Sequence, residues 1–196
     1  MTESAGKDVR DDALIRATLG GDQEAFRELV ERYKTRAFAV VVGIVGNRDD
    51  ALDVVQESFV KAYYKLKEFR FGSNFYTWFY RLLVNQAIDR WRKTSRSGDV
   101  PLDETWLTED ASPPDSFAYP ATPEELLMNR ELGDALEKAI AALPEHHRTV
   151  ILLREVEGMS YEDIAKTMGC STGTVMSRLH YAREKLKTAL GRHVKG

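Results

Sequence analysis

Apolar residues recur three or four positions apart along most of the chain, a spacing that predicts helices rather than strands. Asp22, after Gly20-Gly21, can cap a helix whose apolar positions Phe26, Leu29, Val30, Tyr33, Ala37, Val40, Val41 and Ile44 lead to an interruption at Gly46-Asn47. A second helix opens at Asp49-Asp50, where carboxylates suit the positive end of the helix dipole, and is expected to bury Leu52, Val55, Phe59, Ala62 or Tyr63, and Leu66. A loop around Phe71-Gly72-Ser73-Asn74 precedes a third helix, Thr77 to about Lys93. Phe79, Leu83, Ala87 and Trp91 lie on one side of it, and Arg81, Asn85, Asp89 and Arg92 on the other.

Periodicity then fails. Pro101, Pro113, Pro114, Pro120 and Pro123 fall in a short acidic stretch, which reads as a flexible linker over 97–121. Fully extended at about 3.3–3.6 Å per residue, it could hold its ends roughly 80–90 Å apart. Thr122-Pro123-Glu124-Glu125 supplies a capping hydroxyl, a first-turn proline and a third-position glutamate, so a new helix starts there. Leu132, Leu136, Ala139, Ile140 and Leu143 continue its stripe, Pro144 begins the next helix, and Gly158 ends that one. With no strand-length alternation and no internal repeat, the expected fold is all-α, two small helical domains joined by the linker. The expected boundaries are a disordered 1–10, a first domain over 11–96, the linker, a second domain over 122–190 and a tail over 191–196.

The most informative stretch runs from Ser160 to Val175. Ser160 caps a short helix, Gly169 supplies a left-handed turn residue, and Ser171 or Thr172 caps the next helix. Small Ala165 lets the two helices cross closely, as a helix-turn-helix requires. Val175, Leu179, Ala182, Leu186 and Leu190 hold the last helix to the core. Thr172, Thr174, Met176, Ser177, Arg178, His180, Tyr181 and Arg183 remain for a major groove. A plain helical hairpin with a solvated face is the competing reading.

Charge sharpens this picture. The formal net charge of the 196 residues is −3, which argues poorly for a nucleic-acid binder until it is mapped along the chain. Lys61, Lys65, Lys67, Arg70, Arg81, Arg90, Arg92, Lys93 and Arg96 face only Glu68 and Asp89, the linker is purely acidic, and the last forty residues are basic again. Asp53 and Glu57 sit four apart on the second helix, where like charges cost an isolated helix about 0.2–0.5 kcal/mol. A basic group should oppose them, though a solvated face is the plainer explanation.

Enzyme chemistry finds no support. No phosphate-binding glycine loop, zinc-protease motif or cysteine pair is present, adjacent His146 and His147 point about 100° apart on a helix, and the single Cys170 falls in the turn. No cofactor or metal is expected. The first residues lack the apolar core of a secretory signal, and the run Ala37–Val45 is too short to span a bilayer, so a cytoplasmic location without membrane insertion is expected.

Three groups of residues carry a family resemblance: Asp53-Val54-Val55-Gln56-Glu57-Ser58-Phe59; Phe75-Tyr76-Thr77-Trp78-Phe79-Tyr80-Arg81 with Asn85 and Asp89-Arg90; and Leu143-Pro144 through Gly173-Thr174-Val175-Met176-Ser177-Arg178-Leu179 with Ala182-Arg183. Together they resemble the extracytoplasmic-function (ECF) sigma factors of the sigma-70 family, from about residue 11 to 190. The resemblance implies a region 2 module followed by a region 4 module. It assigns Asp53, Gln56 and Glu57 to the beta-prime clamp of core RNA polymerase, with the beta flap as a further contact. It assigns Arg70 to Lys93 to the minus-ten promoter element: Ser73, Asn74, Phe75 and Tyr76 as a pocket for an unstacked base, and Arg70, Asn85, Arg90, Arg92 and Lys93 on strand or duplex. Core packing stands as the alternative for Trp78, Phe79 and Trp91.

The helix from Thr172 would read the minus-thirty-five element, with Met176 where many relatives carry arginine. An alternative sigma factor of a stress or envelope response, held by an anti-sigma factor, is the implied function. The rival is an operator-binding helix-turn-helix regulator, which would need a sensory pocket in its N-terminal half.

Overall fold

A computed structural model describes residues 2–71, 73–97 and 123–191. Its helices are α1 (Thr2–Leu19), α2 (Gln23–Val45), α3 (Arg48–Lys65), α4 (Phe75–Ser97), α5 (Pro123–Ala141), α6 (Glu145–Glu155), α7 (Tyr161–Met168) and α8 (Thr172–Leu190). A single 3-10 turn, Leu66–Glu68, follows α3. The expected linker lies, from residue 98 on, outside the described residues.

The first module is built around α2. Asp22 caps it by accepting from the Glu24 and Ala25 amides, and Gly46 ends it at φ 76°, a left-handed conformation that favours glycine. Leu29, Tyr33, Ala37, Val40, Val41 and Ile44 are buried against α3 and α4. Phe59 of α3 stacks on Phe79 of α4 with ring centroids 4.5 Å apart. The periodicity reading assigns no helix before Gly20, yet α1 lies along α2. Its signal is weak because few apolar side chains, chiefly Leu14 and Ile15, face inward; buried Asp11 anchors it by accepting from Arg32 and Tyr33.

The expected buried stripe of α3 holds at Val55, Phe59, Ala62 and Leu66 and is corrected at Leu52. Leu52 is 52% exposed and Tyr63 is also exposed, whereas Ala51, Val54, Val55, Ser58, Phe59 and Ala62 face inward. One residue turns a helix by about 100°, so a stripe that starts at Ala51 swings Leu52 outward. Small Ala51 and Ala62, with Ser58 bonded to the Val54 carbonyl (2.7 Å) and to Gln86 (3.1 Å), let neighbouring helices approach closely.

The second module packs α5, α6 and α7 against α8 through Ile140, Val150, Leu153, Ile164, Val175, Leu179 and Ala182. Both modules share one continuous core, because α2 meets α6 and α4 meets α7. Among the described residues no helix is long and apolar enough to cross a membrane.

Candidate nucleic-acid and partner interfaces

Asn47 caps α3 by accepting from the Asp50 amide at 2.9 Å and so sets the phase that presents Asp53, Gln56 and Glu57 to solvent. The basic group demanded by the like-charged pair is Arg90, whose Nη2 lies 3.7 Å from Glu57 and whose Nη1 donates to Asp50 at 3.1 Å. Gln86 also donates to Glu57, at 3.3 Å. Arg90, expected on DNA, is therefore brought to the acidic face of α3. Beside that face runs an apolar groove lined by Leu52, Val60, Tyr63 and Tyr64, all exposed. Sequence reasoning missed these residues, and the available signal was apolar side chains off the phase of the buried stripe.

The start of α4 holds a pocket lined by Ser73, Asn74, Phe75, Thr77, Trp78 and Arg81, together with Asp12 of α1 and Lys166 of α7. Asn74 caps the helix by accepting from the Thr77 amide at 3.4 Å, while Ser73 Oγ donates to the Arg70 carbonyl at 2.6 Å, which shapes the loop. Phe75 belongs to the core and lends the pocket only part of its ring surface. Trp78 is half-buried between Phe69 and Phe75, with centroids 5.6 and 5.7 Å away, and Phe79 is fully buried.

Tyr76 is not part of this pocket. It sits with Tyr80 near Glu157; burial first, and then that carboxylate, pushes both phenols well above their ordinary range and keeps them protonated. Arg70, Asn85, Arg92 and Lys93 are exposed, and Arg92 spans both oxygens of Glu145, its Nε donating at 2.9 Å. Trp91 lies under the Arg148 guanidinium, 5.0 Å from its centroid.

In the second module Ser160 accepts from the Asp163 amide at 3.1 Å, Gly169 turns the chain at φ 62°, and Ser171 caps α8 by accepting from the Thr174 amide at 3.1 Å. This places Thr172, Met176, Ser177 and His180 on an outward face, with Thr174 and Arg178 half-buried beside them. Tyr181 and Arg183 are exposed but tied inward. Tyr181 packs on His147 at 4.5 Å, and Arg183 donates to Glu155 through Nε (3.2 Å) and Nη2 (2.7 Å). Arg178 holds Nη1 3.9 Å from Cys170 Sγ. No group of His, Cys, Asp and Glu among the described residues is arranged to hold a metal ion.

Comparison with known proteins follows the same two modules. Residues 29–97 match the family model Sigma-70 region 2, and residues 133–186 match Sigma-70, region 4. The ECF RNA polymerase sigma-E factor of Haemophilus influenzae is 41% identical over 185 residues, 93% of this chain and 96% of that protein. The RNA polymerase sigma-H factor of Pseudomonas aeruginosa is 38% identical, covering 92% and 94%. Among solved structures, CnrH in complex with the cytosolic domain of CnrY superposes with a TM-score of 0.69 at 25% identity, over 93% of this chain and 98% of that one. The sigma factor RpoE of Bartonella quintana, in complex with the anti-sigma factor NepR, gives 0.63 at 27% identity, over 87% and 98%.

Proposed function

The chain belongs to the ECF sigma factors of the sigma-70 family, transcription-initiation subunits that are not enzymes in their own right, and from that premise we propose how its faces share the work of promoter selection. Region 2 occupies 11–96 and region 4 occupies 122–190, each reading its own promoter element, with the acidic stretch 97–121 between them in the sequence. The α3 face carrying Asp53, Gln56 and Glu57 docks on the beta-prime clamp of core RNA polymerase, and region 4 meets the beta flap. Asp53 is exposed, whereas Glu57 is shared with Arg90, so Arg90 acts here chiefly by orienting the docking face.

The pocket formed by Ser73, Asn74 and Phe75 takes a base unstacked from the minus-ten element. Trp78, which lines it too, adds aromatic surface, where stacking is worth about 1–3 kcal/mol per base. Arg70, Asn85, Arg92 and Lys93 steer the strand, and Tyr76 contributes once its surface is uncovered. In region 4, Thr172, Thr174, Met176, Ser177, Arg178 and His180 read the minus-thirty-five duplex, while Tyr181 and Arg183 secure its backbone. Control by an anti-sigma factor is in keeping with the likeness to RpoE held by NepR.

One observation carries this reading: the chain that ends in a helix-turn-helix also has a polar and aromatic pocket at the head of α4, which a regulator reading only duplex has no use for. Run-off transcription with purified core enzyme on a randomised promoter library tests it. Selection of two spaced elements is expected; binding to a single operator without start-site-selective RNA synthesis refutes it.

A further inference from the structure

Outward positions on a helix favour polar side chains, yet Met176 of α8 is 55% exposed. Its neighbours one turn away on the same side, Thr172 and His180, are exposed too, as is Ser177 beside it. A lone apolar side chain on a surface is ordinary; what gives this one a ligand is its place in the first half of a recognition helix, the part that meets base edges. The guanidinium groups of α8 are engaged elsewhere. Arg178 is half-buried with Nη1 3.9 Å from Cys170 Sγ, and Arg183 donates to Glu155 through two nitrogens. Two hydroxyls are turned inward as well: Ser177 Oγ donates to the Thr174 carbonyl at 3.0 Å, and Thr174 Oγ1 shares a hydrogen bond with Ser171 Oγ at 2.9 Å. Ser177 is left with lone pairs, which suit an amine, and Met176 offers a thioether and a methyl, which suit another methyl.

Resting on the assignment of α8 to the minus-thirty-five duplex, we propose that Met176 makes this helix a thymine reader: its side chain packs on the C5-methyl group of one thymine in the major groove. The base-pair chemistry points one way. Guanine shows the major groove two acceptors, N7 and O6, and neither Met176 nor Ser177 has a proton to give them. Thymine shows a methyl group, and its adenine partner shows an N6 amine that a hydroxyl lone pair can receive. Gly173, three residues before Met176, carries no side chain, so the groove can come close to the helix backbone beside the thioether. Phosphate contacts supply salt-dependent affinity without regard to sequence, whereas a methyl contact discriminates between bases. Met176 is thus a specificity-determining residue of the minus-thirty-five contact, and Arg183 on the backbone is not.

The test uses holoenzyme assembled from the full chain and purified core polymerase, with a promoter duplex carrying the bases selected in the run-off library. Each thymine of the minus-thirty-five element, on either strand, is replaced in turn by deoxyuracil, which keeps the base pair and removes only the methyl. One position is expected to lose about fourfold in affinity, the worth of one buried methyl-sized group. Met176→Ala should bind the thymine duplex more weakly by a similar factor and no longer distinguish deoxyuracil at that position. Met176→Arg should move the base selected there to guanine, since a guanidinium spans N7 and O6. The side chain is exposed, so circular dichroism should show both variants with the helix content of wild type. Three results overturn the proposal: a wild-type holoenzyme indifferent to deoxyuracil at every position, a Met176→Ala variant that still distinguishes it at the sensitive one, or a selected element without thymine. In each case α8 remains on the duplex if scrambling the minus-thirty-five bases weakens binding. If scrambling has no effect, the assignment of α8 fails and the thymine contact fails with it.

Discussion

Leu152 of α6 rests its methyl groups in a gap that only glycine leaves at position 43: a Cβ built there would lie 2.8 Å from both. Gly43 is in the middle of α2, where alanine normally favours a helix by about 0.8–1 kcal/mol. Here the gain is offset by displacement of Leu152. Gly43→Ala is expected to loosen α6 from α2 and expand the chain in small-angle scattering, and Leu152→Ala added to it should restore compact dimensions at a stability cost of about 2–5 kcal/mol. Expansion that persists in the double variant would show that this contact does not hold the modules together.

Asp53→Lys should weaken association with core polymerase by roughly tenfold or more, the equivalent of about 1.4 kcal/mol. The residue is exposed, so the melting temperature should hardly change. Fluorescence anisotropy with labelled chain and purified core enzyme measures the first, and thermal unfolding the second. An undiminished affinity removes Asp53 from the docking face.

Arg183 is tied to Glu155 in the free chain, an exposed pair whose loss costs the fold little. Arg183→Ala should lower affinity for the minus-thirty-five duplex and reduce the slope of log affinity against log salt by about 1, the signature of one lost phosphate contact. A salt titration decides it, and an unchanged slope means the guanidinium stays with Glu155 on DNA.

Burial, then Arg178, then His146 hold the His147 imidazole below its ordinary range. With the folded value depressed, the unfolded chain takes up the proton first. The stability contributed by neutral His147 is therefore complete above about pH 6.5 and is lost as pH falls toward the folded value. Urea unfolding followed at the second module between pH 7.5 and 5 should show this loss, and His147→Gln should flatten it. A histidine variant with the same pH profile as wild type would assign the acid sensitivity elsewhere.

Ser171 caps the recognition helix, so Ser171→Ala should cost about 0.5–2 kcal/mol. Denaturant unfolding measures that loss. A matching drop in minus-thirty-five binding with no change in polymerase docking is expected, because the cap positions α8 alone.

Local rules sufficed wherever local physics governs. The caps Asp22, Ser160 and Ser171, the turn at Gly169, the polar face of α4 and the acidic face of α3 follow from side-chain chemistry and the helical repeat, which act within a turn or two of chain. Those rules placed Leu52 on the buried side of α3 where Ala51 goes instead, because Ala51 and Ser58 look indifferent until neighbouring helices press against them. Nor could they find α1, held by a buried Asp11 to side chains of the next helix. The destinations of three side chains expected on DNA were equally hidden: Arg90 goes to Glu57, Arg92 to Glu145, and Tyr76 to the environment of Glu157. Each partner lies far along the chain, and only tertiary packing brings it within reach of short-range forces: α4 on α3 inside the first module for Arg90, and one module on the other for Arg92 and Tyr76.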